Sequence, residues 1–235
     1  MHAKACRLAA TSGLTVTTTG TIHNAQLAKA AKTHLGPIGM KRKGQSRVWF
    51  KDNGWWLGVV EFQPSSWSKG SYLNVAAMWL WNAKDYWSFD EGGRVEKFHE
   101  FKDYDQFADA EDVLAARARD ETIALCGQFA SLAAVAAHLA RNTNENPWHI
   151  YHAAMAALAI GDVDQAQKLF RALVAFKDYA PFMVDLKAKI QGFSERIASG
   201  TAPSAVVAQE VKDTRQLLKL SKIDEKLIWF GAGEG

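Results

Sequence analysis

The chain is short of cysteine, of long apolar runs and of net charge, and each shortage excludes something. Two cysteines in 235 residues, Cys6 and Cys126, supply no disulfide framework, and reduced thiols in a cytoplasmic protein are the simplest reading. No apolar stretch approaches the roughly 18–20 residues that span a bilayer. The most apolar one, Ala130 to Ala140, is alanine-rich and broken by His138, so it reads as a buried helix. A net charge of +3 is too small to imply a polyanionic partner by itself. Lys4 and Arg7 precede AATSGLTVTTTGT, which is too polar for a signal-peptide core, so residues 1–22 read as a poorly packed leader and the cytoplasm as the location. The sequence has no nucleotide-binding glycine loop, serine-nucleophile elbow or CxxC pair. No catalytic residue, cofactor or metal is therefore assigned, and the balance tilts away from an enzyme.

What is present is an ordinary globular composition, 48% hydrophobic and 23% charged, which argues against overall disorder. The expected class is α+β: an antiparallel β-meander packed with helices, followed by an α-helical C-terminal region. Asn24 to Leu35 carries apolar residues at helical spacing with Asn24 as N-cap, and Gly36-Pro37 ends it. A basic connector, Met40 to Gly44, leads into a strand at Ser46 to Lys51. Asp52-Asn53-Gly54 predicts a tight hairpin, because Asn and Gly tolerate the positive φ such turns demand. Trp55 to Gln63 returns, Pro64 to Gly70 is a polar loop, and Tyr72 to Trp81 is a third strand. On it Leu73, Val75, Ala77, Trp79 and Trp81 make one apolar face. Arg94 to Phe101 is a candidate fourth strand.

Beyond Tyr104 the period is helical. Asp105 to Arg119 and Thr122 to Arg141 read as two helices or one bent helix. Asn146 and Pro147 open the next, Gly161 closes it, and Asp162 caps Val163 to Phe176. Pro181 to Ser199 and Ser204 to Leu220 complete the set, with a frayed GAGEG end. No Pro/Gly/Ser-rich linker interrupts the chain, and the best boundary lies near residue 143. The expected parts are a leader (1–22), a Trp-rich α+β part (23–143) and a helical part (144–235).

Gly39, Lys41, Lys43 and Gly44 precede an aromatic strand; Phe62-Gln63 ends the next strand, and Asn74-Val75 lies in the one after. Over about residues 24–140 this pattern resembles a family of uncharacterised bacterial proteins, a domain of unknown function, although Met40 replaces the usual aromatic. The resemblance implies a fold and no activity. Gly161, Ala154, Ala166 and Phe170 also resemble one tetratricopeptide-type hairpin at 147–176. Ile150 and Leu173 depart from that motif, and no second copy follows at its period of roughly 34 residues. Plain helix packing is the expectation there.

The remaining signals are weighed by their chemistry. Lys41, Arg42, Lys43, Arg47 and Lys51 lie beside Trp49, Trp55 and Trp56, and cations with stacking rings are what single-stranded nucleic acid requires. Asp52 and Glu61 resemble the acidic pair that holds Mg²⁺ in restriction-type nucleases. No lysine stands at the catalytic position, and the low net charge weighs against nucleic acid. His149 and His152 are three apart on a helix but lack a third ligand. The acidic residues Glu100, Asp103, Asp105, Asp109, Glu111 and Asp112 suit the positive end of a helix dipole. His99 has no marked partner, and Cys126 reads as a buried small residue.

Seven of the nine tryptophans fall between residues 49 and 87. Rings alternating across a sheet cannot all enter one layer, so either both faces are covered or some rings are exposed. Exposed Trp is enriched at binding hot spots. The leading expectation is a non-enzymatic protein-interaction module whose partner is another protein, docked on Trp49, Trp55, Trp56 and Trp67; a small-ligand pocket lined by the same aromatics is a third option. The alternative is nucleic-acid binding or metal-dependent nuclease-like chemistry through segment 41–51 with Asp52 and Glu61.

Overall fold

The structure, a computed structural model, describes residues 19–141, 146–177 and 180–223. The expectations for Cys6, for the leader up to residue 18, for the turn at 142–145 and for the GAGEG end fall outside the described residues.

Helix α1 (Thr19–Leu35) starts upstream of Asn24, so Asn24 is not its cap; its Oδ1 accepts a 2.6 Å hydrogen bond from Arg47 Nε instead. Pro37 ends α1 in a short 3-10 turn, and Gly39 leaves that turn with a φ of 83°. The basic connector proves to be partly strand. β1 (Lys41–Arg42) pairs with β2 (Val48–Asp52), which turns at Asn53-Gly54 into β3 (Trp56–Pro64). β4 (Gly70–Trp79) and β5 (Glu91–Glu100) complete an antiparallel sheet in sequence order, a meander.

Both faces of this sheet are covered where β3 meets β4. Register aligns Trp49 with Val60 and Val60 with Val75, placing them on one face with Phe62 and Leu73. These residues pack against Leu27 and Leu35 of α1 and against Phe107 and Leu114 of α2 (Tyr104–Gln128). On the other face Leu57, Val59 and Met78 join a second core shared with α3 (Leu132–Arg141), α4 (Pro147–Ala159), α5 (Val163–Val174), α6 (Pro181–Ala198) and α7 (Pro203–Leu217). The apolar face expected to run from Leu73 to Trp81 is divided: Leu73 and Val75 enter the first core, Ala77, Trp79 and Trp81 the second. The second core draws on residues from both sides of position 143, from Trp55 to Val211.

The helical signals act as their chemistry dictates. Asp103, Asn146 and Asp162 each accept a backbone N–H in the first turn that follows, and Gly161 takes a φ of 81°. α2 runs on past Arg119 without a break, and the bend falls at Phe129–Ser131. α4 is the central helix. From Ile150 to Ala159 every residue is buried, and its alanines let α3, α5 and α7 approach closely. No single described helix is long and apolar enough to cross a membrane.

Candidate functional site

Burial decides the tryptophans first. Trp79 and Trp81 are fully buried, and Trp49, Trp55 and Trp56 retain at most 9% exposure. Trp55, Trp79 and Trp81 lie nearly parallel with ring centroids 5.1–6.0 Å apart. At about 25 cal/mol per Å² and some 150–250 Å² per ring, each buried indole contributes roughly 4–6 kcal/mol before ordering costs. Trp49, Trp55 and Trp56 are thus core rather than docking surface. Trp67, on the β3–β4 loop, is the exception at 94% exposed.

The basic segment does not form one strip. Lys43 stacks over the Trp87 ring at 4.3 Å, Arg42 is turned onto the carbonyls of Gln45 and Ser46, and Arg47 reaches α1. Lys41 is exposed, and Lys51 is half-buried beside Cys126, whose thiol is pushed up by burial and only partly restrained by that lysine. Cys126 itself is half-buried, not buried as expected.

Asp52 and Glu61 lie at opposite ends of the β2–β3 ladder: Asp52 faces Leu57, and Glu61 faces Val48. Four residues of strand, about 13 Å at ~3.3 Å per residue, separate them, too far to share one ion. Asp52 is also held by Arg215, while Glu61 accepts from Asn74. Among the described residues no group of three or more His, Cys, Asp or Glu side chains is placed to hold a metal ion.

The structure instead assembles ionisable groups in the connection between β4 and β5, a segment without a recognisable motif. Asp90 organises this loop. Its carboxylate accepts from Trp79 N at 2.8 Å, from Ser88 Oγ at 2.8 Å and from Lys84 Nζ at 3.0 and 3.1 Å. The loop is then tied to three helices. Tyr151 of α4 donates to Trp81 O at 2.9 Å, Lys189 of α6 donates to Asn82 Oδ1 at 3.3 Å, and Glu210 of α7 accepts from Ala83 N at 3.2 Å. Lys189 and Glu210 are themselves an ion pair at 2.6 Å.

His152 lies beneath this loop on α4. The Trp81 indole N–H donates to His152 Nδ1 at 3.1 Å, which leaves the ring proton on Nε2, 3.9 Å from Asp90 Oδ1. Burial, against a weaker pull from Asp90, lowers the His152 pKa to about 4, so the ring is neutral at neutral pH. Burial opposes the charge on Asp90, but the fields of His152 and Lys84 with the Ser88 hydrogen bond outweigh it and hold its pKa below the ordinary value. Burial lowers Lys84, with Asp90 resisting. Burial, then Glu210 and Asp90, raise Tyr151 well above the usual tyrosine range.

Lys84, Asp90 and His152 line a pocket of about 230 Å³, walled by Asn82, Tyr86 and Trp148 and reached also by His149. The Nδ1 atom of His149 is buried and has no hydrogen-bond partner. His149 and His152, whose spacing lacked a third ligand, meet at one site beside an ammonium–carboxylate pair and not a ligand set. Ser88 Oγ donates to Asp90 and not to a histidine, so the arrangement is not that of an activated nucleophile. The sequence signal for this site is slight: a polar stretch, NAKDYWSFD, between two strongly apolar segments.

A scan against protein-family models matches no family, and comparisons with curated proteins and with solved structures find no match.

Proposed function

We propose that this chain binds a small ligand bearing a carboxylate or similar acceptor group in the pocket between the β4–β5 loop and α4. The observation that carries the reading is that His149, which lines this pocket beside the Lys84–Asp90 pair, keeps a buried Nδ1 with no hydrogen-bond partner. Buried polar atoms in proteins nearly always have a partner, and an exception at a pocket points to a missing ligand or water. The acceptor preference follows from the donors left over. Asp90 is saturated by four hydrogen bonds, whereas Lys84 keeps one ammonium hydrogen beyond its two contacts and His152 keeps its Nε2–H. A volume of about 230 Å³ lies below the roughly 300–1,000 Å³ of drug-sized sites, which restricts the ligand to a small metabolite.

Thermal-shift and ligand-observed NMR titrations with acetate, succinate, inorganic phosphate and neutral glycerol test this. A carboxylate should stabilise the wild-type protein and lose its effect in His149→Ala, while glycerol does nothing. Equal effects of succinate on wild type and His149→Ala, or no response to any probe at millimolar concentration, would overturn the proposal.

A further inference from the structure

A second concavity lies on the far side of the sheet, at the β3–β4 loop. It has a volume of about 300 Å³ and is lined by His23, Arg47, Phe101 and the loop PSSWSKG, residues 64–70. Arg47 is held at its base by neutral partners. Nε donates to Asn24 Oδ1 at 2.6 Å, Nη1 to Ser71 Oγ at 3.0 Å and more weakly to Gly70 O at 3.4 Å, and Nη2 to His23 Nδ1 at 3.3 Å. Among the described residues Arg47 has no carboxylate partner. Glu100, which faces Gly70 across the ladder, is paired with Lys102 at 3.6 Å.

Four neutral acceptors fix the guanidinium without neutralising it, and one Nη2 hydrogen is left over. A positioned arginine without a counter-ion is suited to an oxyanion. Burial, then the Arg47 charge, lower the His23 pKa to about 4, so this ring is a neutral spacer at neutral pH. The Ser65 hydroxyl oxygen accepts from the backbone N–H of Trp67 and of Ser68, which leaves its hydrogen free to donate, and Ser66 and Ser68 add further hydroxyls to the rim. The Trp67 indole rises from the same loop at 94% exposed, the one large apolar side chain there without cover. An exposed indole is a stacking platform for a planar base, worth about 1–3 kcal/mol per base.

We infer that the Arg47–Trp67 concavity binds a nucleoside monophosphate, its phosphate on Arg47 and the serine hydroxyls and its base on Trp67. The site is separate from the pocket at His149 and uses neither its residues nor its helices.

The test is calorimetric titration of the full chain with adenosine monophosphate, inorganic phosphate, adenosine and a short single-stranded oligonucleotide. Adenosine monophosphate should bind more tightly than phosphate or adenosine alone. Trp67→Ala, at a position too exposed to affect folding, should weaken it roughly tenfold. Arg47→Lys, which loses the fork but keeps the charge, should weaken adenosine monophosphate and leave adenosine unaffected, and His149→Ala should change nothing. Unchanged binding in Trp67→Ala, adenosine binding as tightly as its monophosphate, or no binding at millimolar nucleotide would overturn the inference. Much tighter binding of the oligonucleotide would overturn the mononucleotide assignment in favour of a nucleic-acid strand.

Discussion

Arg215, on the last described helix, grips Asp52 at the β2–β3 hairpin through two charge-assisted hydrogen bonds of 2.8 and 2.7 Å across 163 residues of chain. The same guanidinium donates to Gly54 O and Ser221 O, both at 2.8 Å, so one side chain ties the hairpin, α7 and the segment after it. Asp52 is thereby a structural carboxylate. Arg215 is only 6% exposed, and removing it leaves the acid and the turn carbonyl under-bonded. Arg215→Ala should cost about 3 kcal/mol in urea denaturation. A change below about 0.5 kcal/mol, the range of an ordinary surface substitution, would contradict this role.

The Lys84–Asp90 pair should behave as a buried pair does when one partner is lost. Lys84→Met leaves Asp90 charged and nine-tenths or more out of water, with side-chain exposures in the wild type of 5% and 8%. The expected loss is about 3–5 kcal/mol, and Asp90→Asn added to Lys84→Met should recover part of it. Two single losses that simply add in the double variant would show that the pair is not coupled.

Stability should fall on mild acidification. His23 and His152 are held neutral, each with a pKa lowered from 6.5 to about 4. Their unfolded forms take up protons below 6.5 and the folded forms do not, so this stabilisation is complete above pH 6.5 and is lost as pH drops toward 4. The slope from His152 alone should approach about 1.4 kcal/mol per pH unit inside that window. Asp90, with its pKa below 3.8, contributes only to acid loss beneath the window. Denaturation midpoints measured at pH 7.5, 6, 5 and 4.5 read this out, and His152→Gln should flatten the curve. An unchanged midpoint across the series would refute it.

The tryptophans should divide sharply by mutation. Trp79→Ala removes a fully buried ring and should cost about 3–5 kcal/mol, while Trp67→Ala should lie within about 0.5 kcal/mol of wild type. Trp79 Nε1 is buried without a partner, so Trp79→Phe should cost much less than Trp79→Ala. Thermal melts of the three variants check the order.

Gly92 should resist any side chain. Its φ is +101°, and a Cβ there would sit 2.7 Å from Val75 O on the neighbouring strand. Gly92→Ala should destabilise by about 2 kcal/mol through backbone strain and the displaced strand. Wild-type stability in that variant would mean that β5 pairs differently from the register described.

The sequence by itself determined the elements whose causes are local. The turn at Asp52–Gly54 needs only a backbone tolerant of positive φ at Gly54, which lies at 88°. The caps at Asp103, Asn146 and Asp162 need only a side-chain oxygen within three residues of an orphan N–H. Alternation and helical period sufficed for the α+β class, with β2 to β4 in order and the hairpin α4–α5 around Gly161. Local reasoning failed where competing local causes were close in strength. α1 starts five residues upstream of Asn24, and α2 runs through Arg119 to Gln128, where packing of Phe107, Leu114 and Leu125 outweighs the polar stretch Arg119–Glu121.

Only the tertiary structure decided which of the aromatic and charged residues meet. Alternation shows that Trp49 and Trp56 leave the strand toward a face, but whether that face is wet depends on α1, α2 and Phe129, distant in sequence. His152 and Asp90 are 62 positions apart, and Arg215 and Asp52 farther still; nothing in a neighbouring residue encodes such a pairing. Its energy comes from desolvation and geometry that exist only once the two cores have closed. The β-meander was therefore legible from its own residues, while its burial on both faces, and the relocation of the candidate site to its end loops, were settled by what packs against it.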